Sequence, residues 1–191
     1  VNERYTYLTD QRDDVLKSKK ELEGIIADIT EEMKTIFARQ FSVINEAFQQ
    51  TFTELFGGGK ATLELEEPED ILNCGIEIRV QPPGKALKVL SLLSGGEKAF
   101  VAIALYFAIL KVRPTPFCVM DEIEAALDDA NVVRFARYMR QMADKTQFIV
   151  ITHRRGTMEE ADVLYGVTMQ EDGVSKLLRL DVNHVDASLV N

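Results

Sequence analysis

The chain has 191 residues, 46% of them apolar, which suits a soluble globular protein with one ordinary core plus an extension. Thirty-one acidic against 22 basic residues give a formal charge of −9, so the whole chain is no electrostatic magnet for nucleic acid, although a local basic patch remains compatible with it. No apolar run reaches the ~20 residues that a bilayer demands, no signal peptide is evident, and two cysteines, Cys74 and Cys118, make no disulfide framework and fit a reducing compartment. Cys118 reads as a small core residue. Val1 stands where an initiator methionine would, and the helical pattern opens without a cap, so the chain reads as a fragment.

Leu8, Val15, Leu22, Ile29, Ile36 and Val43 recur every seven residues, with Tyr5, Ile26, Met33 and Ala47 at the intervening heptad positions. That is a coiled-coil seam, interrupted by Arg12 and Lys19 near its start. No proline occurs before Pro68, so a helix over 1–55 is predicted, roughly 80 Å long at the standard rise. Such a helix cannot be buried in so small a body, and its other strand must come from elsewhere. From Phe37 a second stripe, Phe41, Ile44, Phe48, Phe52 and Leu55, predicts that its C-terminal end docks on a globular core.

Phe56-Gly57-Gly58-Gly59-Lys60 invites comparison with a phosphate loop, but it lacks the P-loop spacing and runs into the alternating segment "ATLELEE" instead of a helix. Residues 61–67 and 75–81 read as two antiparallel strands. Beyond the Pro82-Pro83-Gly84 turn, "LSLLSGGEKAF" leads into a helix over about 96–111. Its start is unusual, because Gly95 and Gly96 make backbone costly to order. One reading is a plain turn with Ser94 as N-cap; the other is a helix start that must approach something anionic.

"TPFCVMDE" reads as a buried strand ending in acids, 128–143 as a helix, and "TQFIVITH" as a second buried strand ending in histidine. Strand, helix, strand at this spacing indicates a parallel α/β unit. Strands are expected at about 163–169 and 174–180, joined near Glu171-Asp172-Gly173, with a frayed tail from Asp181. Ligands of open α/β sheets lie at the carboxyl ends of their strands, which here carry Asp121, Glu122 and His153.

Taken together, "LSGGEK", "FCVMDE", "AALD" and "ITH" resemble the signature, Walker B strand, D-loop and switch histidine of an ABC-type ATPase. The long heptad helix, "VRPTPFCVMDEIEAALDDANV" and "THRRGTMEEADVLYGVTMQ" narrow the resemblance to the structural maintenance of chromosomes (SMC) family, over nearly the whole chain. The implied fold is α/β, the C-terminal lobe of an ABC-type, P-loop NTPase-like head carrying a long coiled-coil helix: 1–55 coil, 56–180 head lobe, 181–191 flexible tail. The implied cofactors are ATP and Mg²⁺, with Asp121 holding the metal through water, Glu122 polarising the attacking water and His153 contacting the γ-phosphate. Ser94, Gly95, Gly96 and Glu97 form the signature that grips the γ-phosphate of ATP held by a second head, and Asp128 couples the facing sites.

No G-x-x-x-x-G-K-S/T and no identifiable Q-loop glutamine occur in the 191 residues. In the family that lobe comes from the distant N-terminus of the same polypeptide. The implied partners are therefore the N-terminal lobe, a second SMC head, a kleisin subunit and, through the full complex, DNA, with no membrane. The implied location is cytoplasmic and nucleoid-associated, and the implied function is ATP-driven head engagement in chromosome condensation and segregation. A DNA-repair relative with the same split head, or a non-enzymatic scaffold, are the alternatives; turnover with the N-terminal lobe separates the last from the others.

Overall fold

The computed structural model describes residues 2–169 and 173–182. Its first element, α1 (Asn2–Phe56), is one continuous helix. The heptad residues Leu8, Val15, Leu22 and Ile29 are half or more exposed, as a coil strand awaiting a partner should be. Burial begins at Ala47 and continues through Phe48, Thr51, Phe52, Leu55 and Phe56. Ala47 thus belongs to the docking stripe and not to the coil seam, because the helix has already met the head by that turn.

Gly57, Gly58 and Gly59 all take positive φ, which lets the chain leave α1 and reverse into β1 (Lys60–Leu65). A Cβ at Gly59 would lie 2.3 Å from the carbonyl oxygen of Gln81, so this glycine run serves a tight turn. β1 pairs antiparallel with β2 (Ile76–Gln81), as expected, and β2 pairs with a third strand, β3 (Lys88–Val89), that its two-residue length hid from sequence patterning.

The helix α2 (Gly95–Val112) lies against the docked end of α1. Phe52 stacks on Phe56 at 4.1 Å between ring centroids, and Phe56 meets Phe100 of α2 at 4.6 Å. β4 (Phe117–Asp121) follows, then α3 (Asp129–Met142) and β5 (Gln147–Ile151), with β4 and β5 parallel and Asp121 level with Ile151. Phe107 of α2 reaches Phe135 and Tyr138 of α3 and Phe148 of β5, which joins the two layers. Tyr138 also donates to Glu54 Oε2 at 2.9 Å; burial, with the nearby carboxylate, pushes its hydroxyl up to about 12.

Both strands of the parallel pair were expected to be buried, and here the structure corrects the sequence reading. Cys118 and Met120 are buried on one face, while Phe117, Val119, Ile149 and Ile151 on the other are about half exposed. Among the described residues only one side of this sheet is covered: there Tyr106 and Phe107 of α2 reach Cys118 and Phe148.

A single-turn helix, α4 (Arg155–Met158), unforeseen because it lacks any periodic stretch, leads to the hairpin of β6 (Val163–Met169) and β7 (Ser175–Asp181). Asp181, expected to open a frayed tail, instead ends β7 opposite Val163, and the Val182 amide donates to the Asp162 carbonyl at 3.0 Å, because pairing with β6 continues to the first residue of that strand; the rest of the expected tail and the expected turn at Glu171-Asp172 lie outside the described residues. Both cysteines are free thiols, and Cys118 is buried. Among the described residues no helix is long and apolar enough to cross a membrane.

Candidate nucleotide site

Alternation along β4 places Phe117, Val119 and Asp121 on the open face of the sheet. Asp121 is the last strand residue. Its carboxylate is exposed and carries no hydrogen bond among the described residues. The Glu122 amide then donates to the Ile151 carbonyl at 2.9 Å, one more rung beyond the strand proper. There the chain bends through a left-handed conformation at Glu122, φ 47°, which for a residue with a side chain costs roughly 1–2 kcal/mol. Ala125 and Leu127 amides close the following turns onto the Glu122 and Glu124 carbonyls.

The strained bend presents Glu122 to the end of β5, where His153 Nδ1 lies 3.2 Å from Glu122 Oε1. The side chains are 64% and 52% exposed, so the pair opens to solvent and a ligand can reach it. Two strand ends, separated by 31 residues of sequence, thus bring a carboxylate and an imidazole into hydrogen-bond contact, with Asp121 adjacent in the chain. No cluster of three or more acids, histidines or cysteines suited to a metal occurs among the described residues. One free carboxylate nevertheless fits Mg²⁺, which ordinarily takes one or two protein carboxylates and completes its shell with water and substrate phosphates.

At the other candidate element Ser94 is the N-cap of α2 in a capping box: Glu97 N donates to Ser94 Oγ, and the Ser94 amide donates to Glu97 Oε2 at 3.1 Å. The Ser94 hydroxyl donates to the same carboxylate oxygen at 2.6 Å. Lys85, which the sequence reading had not singled out, donates to Glu97 Oε1 at 2.7 Å. The two glycines divide their work. A Cβ at Gly96 would meet the Ala126 carbonyl at 2.9 Å, so that residue lets α2 pack against the loop after β4, whereas Gly95 has nothing within 4 Å of that position and is free for close approach from outside.

Lys85, then the Ser94 hydroxyl and amide, hold the Glu97 carboxyl down to about 2 from an ordinary 4.5. The folded pKa lies below the unfolded one, so the associated stability is complete above pH 4.5 and is lost as pH falls through about 2. In a ¹³C NMR titration, Glu97 should titrate near 2, and Lys85→Met should raise that midpoint. Titration near 4.5 in the unsubstituted protein would mean that the ion pair does not form in solution.

Asp128 caps α3, accepting from the Asn131 amide at 2.8 Å and from Asn131 Nδ2 at 3.2 Å. The side-chain bonds of Ser94 and Glu97 stay among themselves and Lys85, so the structure assembles Glu122 and His153 as one cluster and residues 94–97 as a second one.

A family model described as the RecF/RecN/SMC N terminal domain matches residues 7–176. The chain belongs to the RecF/RecN/SMC family. Among curated SMC relatives, the chromosome partition protein Smc of Bacillus subtilis is 60% identical over 178 residues, 93% of this chain and 15% of its own length, and that of Mycobacterium tuberculosis is 45% identical over 100% of this chain and 16% of its own. The chain therefore spans about one sixth of those SMC relatives. Among solved structures, an Smc head domain with an extended coiled coil from Pyrococcus furiosus, bound to the C-terminal domain of ScpA, superposes with a TM-score of 0.75 at 43% identity, covering 95% of this chain and 46% of that one. An SMC ATPase chain studied for ATP-driven dimerization superposes at 0.73 with 44% identity, covering 78% of this chain and 91% of that one. The fold is that of an SMC head domain.

Proposed function

We propose that this chain is the C-terminal lobe of an SMC ATPase head, with residues 1–55 as one strand of the adjoining coil and the residues that follow as the lobe. The observation that carries this reading is the Glu122–His153 pair at the carboxyl ends of two parallel strands, 3.2 Å apart beside a free Asp121 carboxylate. The half-exposed apolar face of β4 and β5 supports it as the seat of a complementary lobe that carries the P-loop. The order of motifs along the chain, signature before Walker B before switch histidine with no P-loop, favours the C-terminal lobe although the matching family model is described by its N-terminal domain.

Within such a head Asp121 would hold Mg²⁺, through water, against the nucleotide phosphates. Such an ion would supply neutralisation of phosphate charge as it builds up in the transition state. Glu122 is the general base: its carboxylate orients the attacking water and accepts its proton, a contribution of ~10²–10⁴-fold. His153 restrains that carboxylate through Nδ1 and presents the rest of its ring toward the γ-phosphate. Gly95 and the α2 N-terminus accept the γ-phosphate of ATP bound to a facing head, where unpaired amides and the helix dipole favour an anion. Ser94 Oγ leaves Glu97 to join them, and Asp128 sits at the seam between the heads.

Two nucleotides then bind the two heads together, and hydrolysis releases them. The full protein serves chromosome organisation and segregation, with a kleisin subunit bridging the heads and DNA held by the whole complex, in the cytoplasm at the nucleoid. The chain by itself should show no turnover of ATP with Mg²⁺, and adding the complementary lobe should restore it. Robust Glu122-dependent hydrolysis by the chain alone would overturn the split-head reading.

A further inference from the structure

We propose that Glu124 is a buried positioning residue that sets the distance between Glu122 and His153; this rests on the ATPase reading of that pair. Glu124 is fully buried, 0% exposed. Its Oε1 accepts from two hydroxyls, Thr152 Oγ1 and Thr157 Oγ1, the second at 3.0 Å, while its Oε2 has no partner among the described residues. A buried carboxyl is unfavourable unless its oxygens are bonded, so a position that served packing alone would be better filled by an apolar side chain. Glu124 follows Glu122 by two residues, and Thr152 immediately precedes His153. The bond therefore ties the loop after β4 to the loop after β5 at the level of the reacting pair.

A second tie runs in parallel. The Arg154 guanidinium donates to the Leu127 carbonyl at 3.1 Å and to Asp129 Oδ1 at 2.8 Å, and the Arg154 amide donates to Thr152 Oγ1 at 2.9 Å. His153 is thereby held on both flanks to the one segment 122–129 that begins with Glu122. Thr157 extends the anchor to α4, whose Gly156 would place a Cβ 3.2 Å from Val132 of α3. The strained φ of Glu122 persists because the turn that follows it is fixed at Glu124.

Heads completed by the second lobe provide the test, with Glu124→Leu, which removes the acceptor and orphans two hydroxyls, and Glu124→Gln, which keeps a carbonyl oxygen for both. A misplacement of reacting groups of about 1 Å can lower turnover about 100-fold. Glu124→Leu should therefore lower kcat by about 100-fold with KM for ATP unchanged, and Glu124→Gln should restore kcat to within about threefold. The ring resonances of His153, which report its contact with Glu122, should move in Glu124→Leu to the positions they take in Glu122→Ala, and stay in place in Glu124→Gln. Should Glu124→Leu fail to fold, Thr152→Val removes one of the hydroxyls at constant volume and should show the same split, with a loss of about tenfold in kcat. Unmoved His153 resonances in the foldable variants, or kcat and KM changing together, would overturn the positioning role. If the unsubstituted completed head were inactive, the ATPase reading would fall, while the resonances would still decide the role of Glu124.

Discussion

Glu122→Gln in completed heads should abolish hydrolysis while leaving ATP bound and two heads joined. The amide keeps the size of the carboxylate and an oxygen for His153, now 3.2 Å away, but it cannot take a proton from water. On the proposed mechanism, losing that base should raise the barrier by about 3–5 kcal/mol and leave phosphate contacts untouched. Ser94→Arg should abolish hydrolysis for the opposite reason. Ser94 is exposed at the start of α2 next to the open Gly95, so a long cation there obstructs approach to a nucleotide on the facing head. The helix loses a cap worth about 1 kcal/mol, which α2, with seven buried side chains, can absorb. Light scattering with ATP and Mg²⁺ should show dimers for Glu122→Gln and monomers for Ser94→Arg. Equal pairing by the two variants would mean that base and signature do not divide between the facing heads.

Phe107→Ala should be among the most damaging changes to the fold itself. The ring is fully buried and contacts Phe135 at 5.8 Å, Tyr138 at 5.3 Å and Phe148 at 6.4 Å, so it links α2, α3 and β5. Truncating such a ring costs about 3–5 kcal/mol, a large part of the ~5–15 kcal/mol that holds an ordinary domain. Because β5 leads directly to His153 and α3 begins at the Asp128 cap, loosening this junction should also disturb the site. Urea unfolding of completed heads should show the loss as a lowered midpoint, with Phe107→Leu between the two. An unchanged midpoint for Phe107→Ala would place the core junction elsewhere.

Features carried by periodicity and strand ends are legible in the amino-acid sequence itself. Heptads from Leu8 to Val43 predicted α1, and the apolar stripe at Phe48, Phe52 and Leu55 predicted where it docks, since both depend only on helical spacing. Asp121, Glu122 and His153 converge because parallel strands align their carboxyl ends, and Glu122 and His153 do so in the structure. Burial was harder to read. The apolar runs of β4 and β5 look alike whether one face or two are covered, so the half-exposed Phe117 and Ile151 were expected inside. Glu124 was missed because a third acid in "DEIEAALD" carries no mark of burial: its role depends on Thr152 and Thr157, which only the folded chain brings near. Lys85 escaped for the same reason, being 12 residues from Glu97 in the chain and 2.7 Å from it in space.

The continuity of α1 has a mechanical consequence. Its buried residues all fall within the last ten positions, 47–56, while the helix as a whole spans roughly 80 Å at 1.5 Å per residue. It is a lever whose fulcrum is the aromatic stack of Phe52, Phe56 and Phe100. A tilt of about 10° at that fulcrum, small enough for side chains to accommodate by sliding, sweeps the far end through about 14 Å. The same stiffness works in reverse, so a pull on the distal end is delivered as torque to the layer formed by α1 and α2, whose first turn carries Ser94 and Gly95.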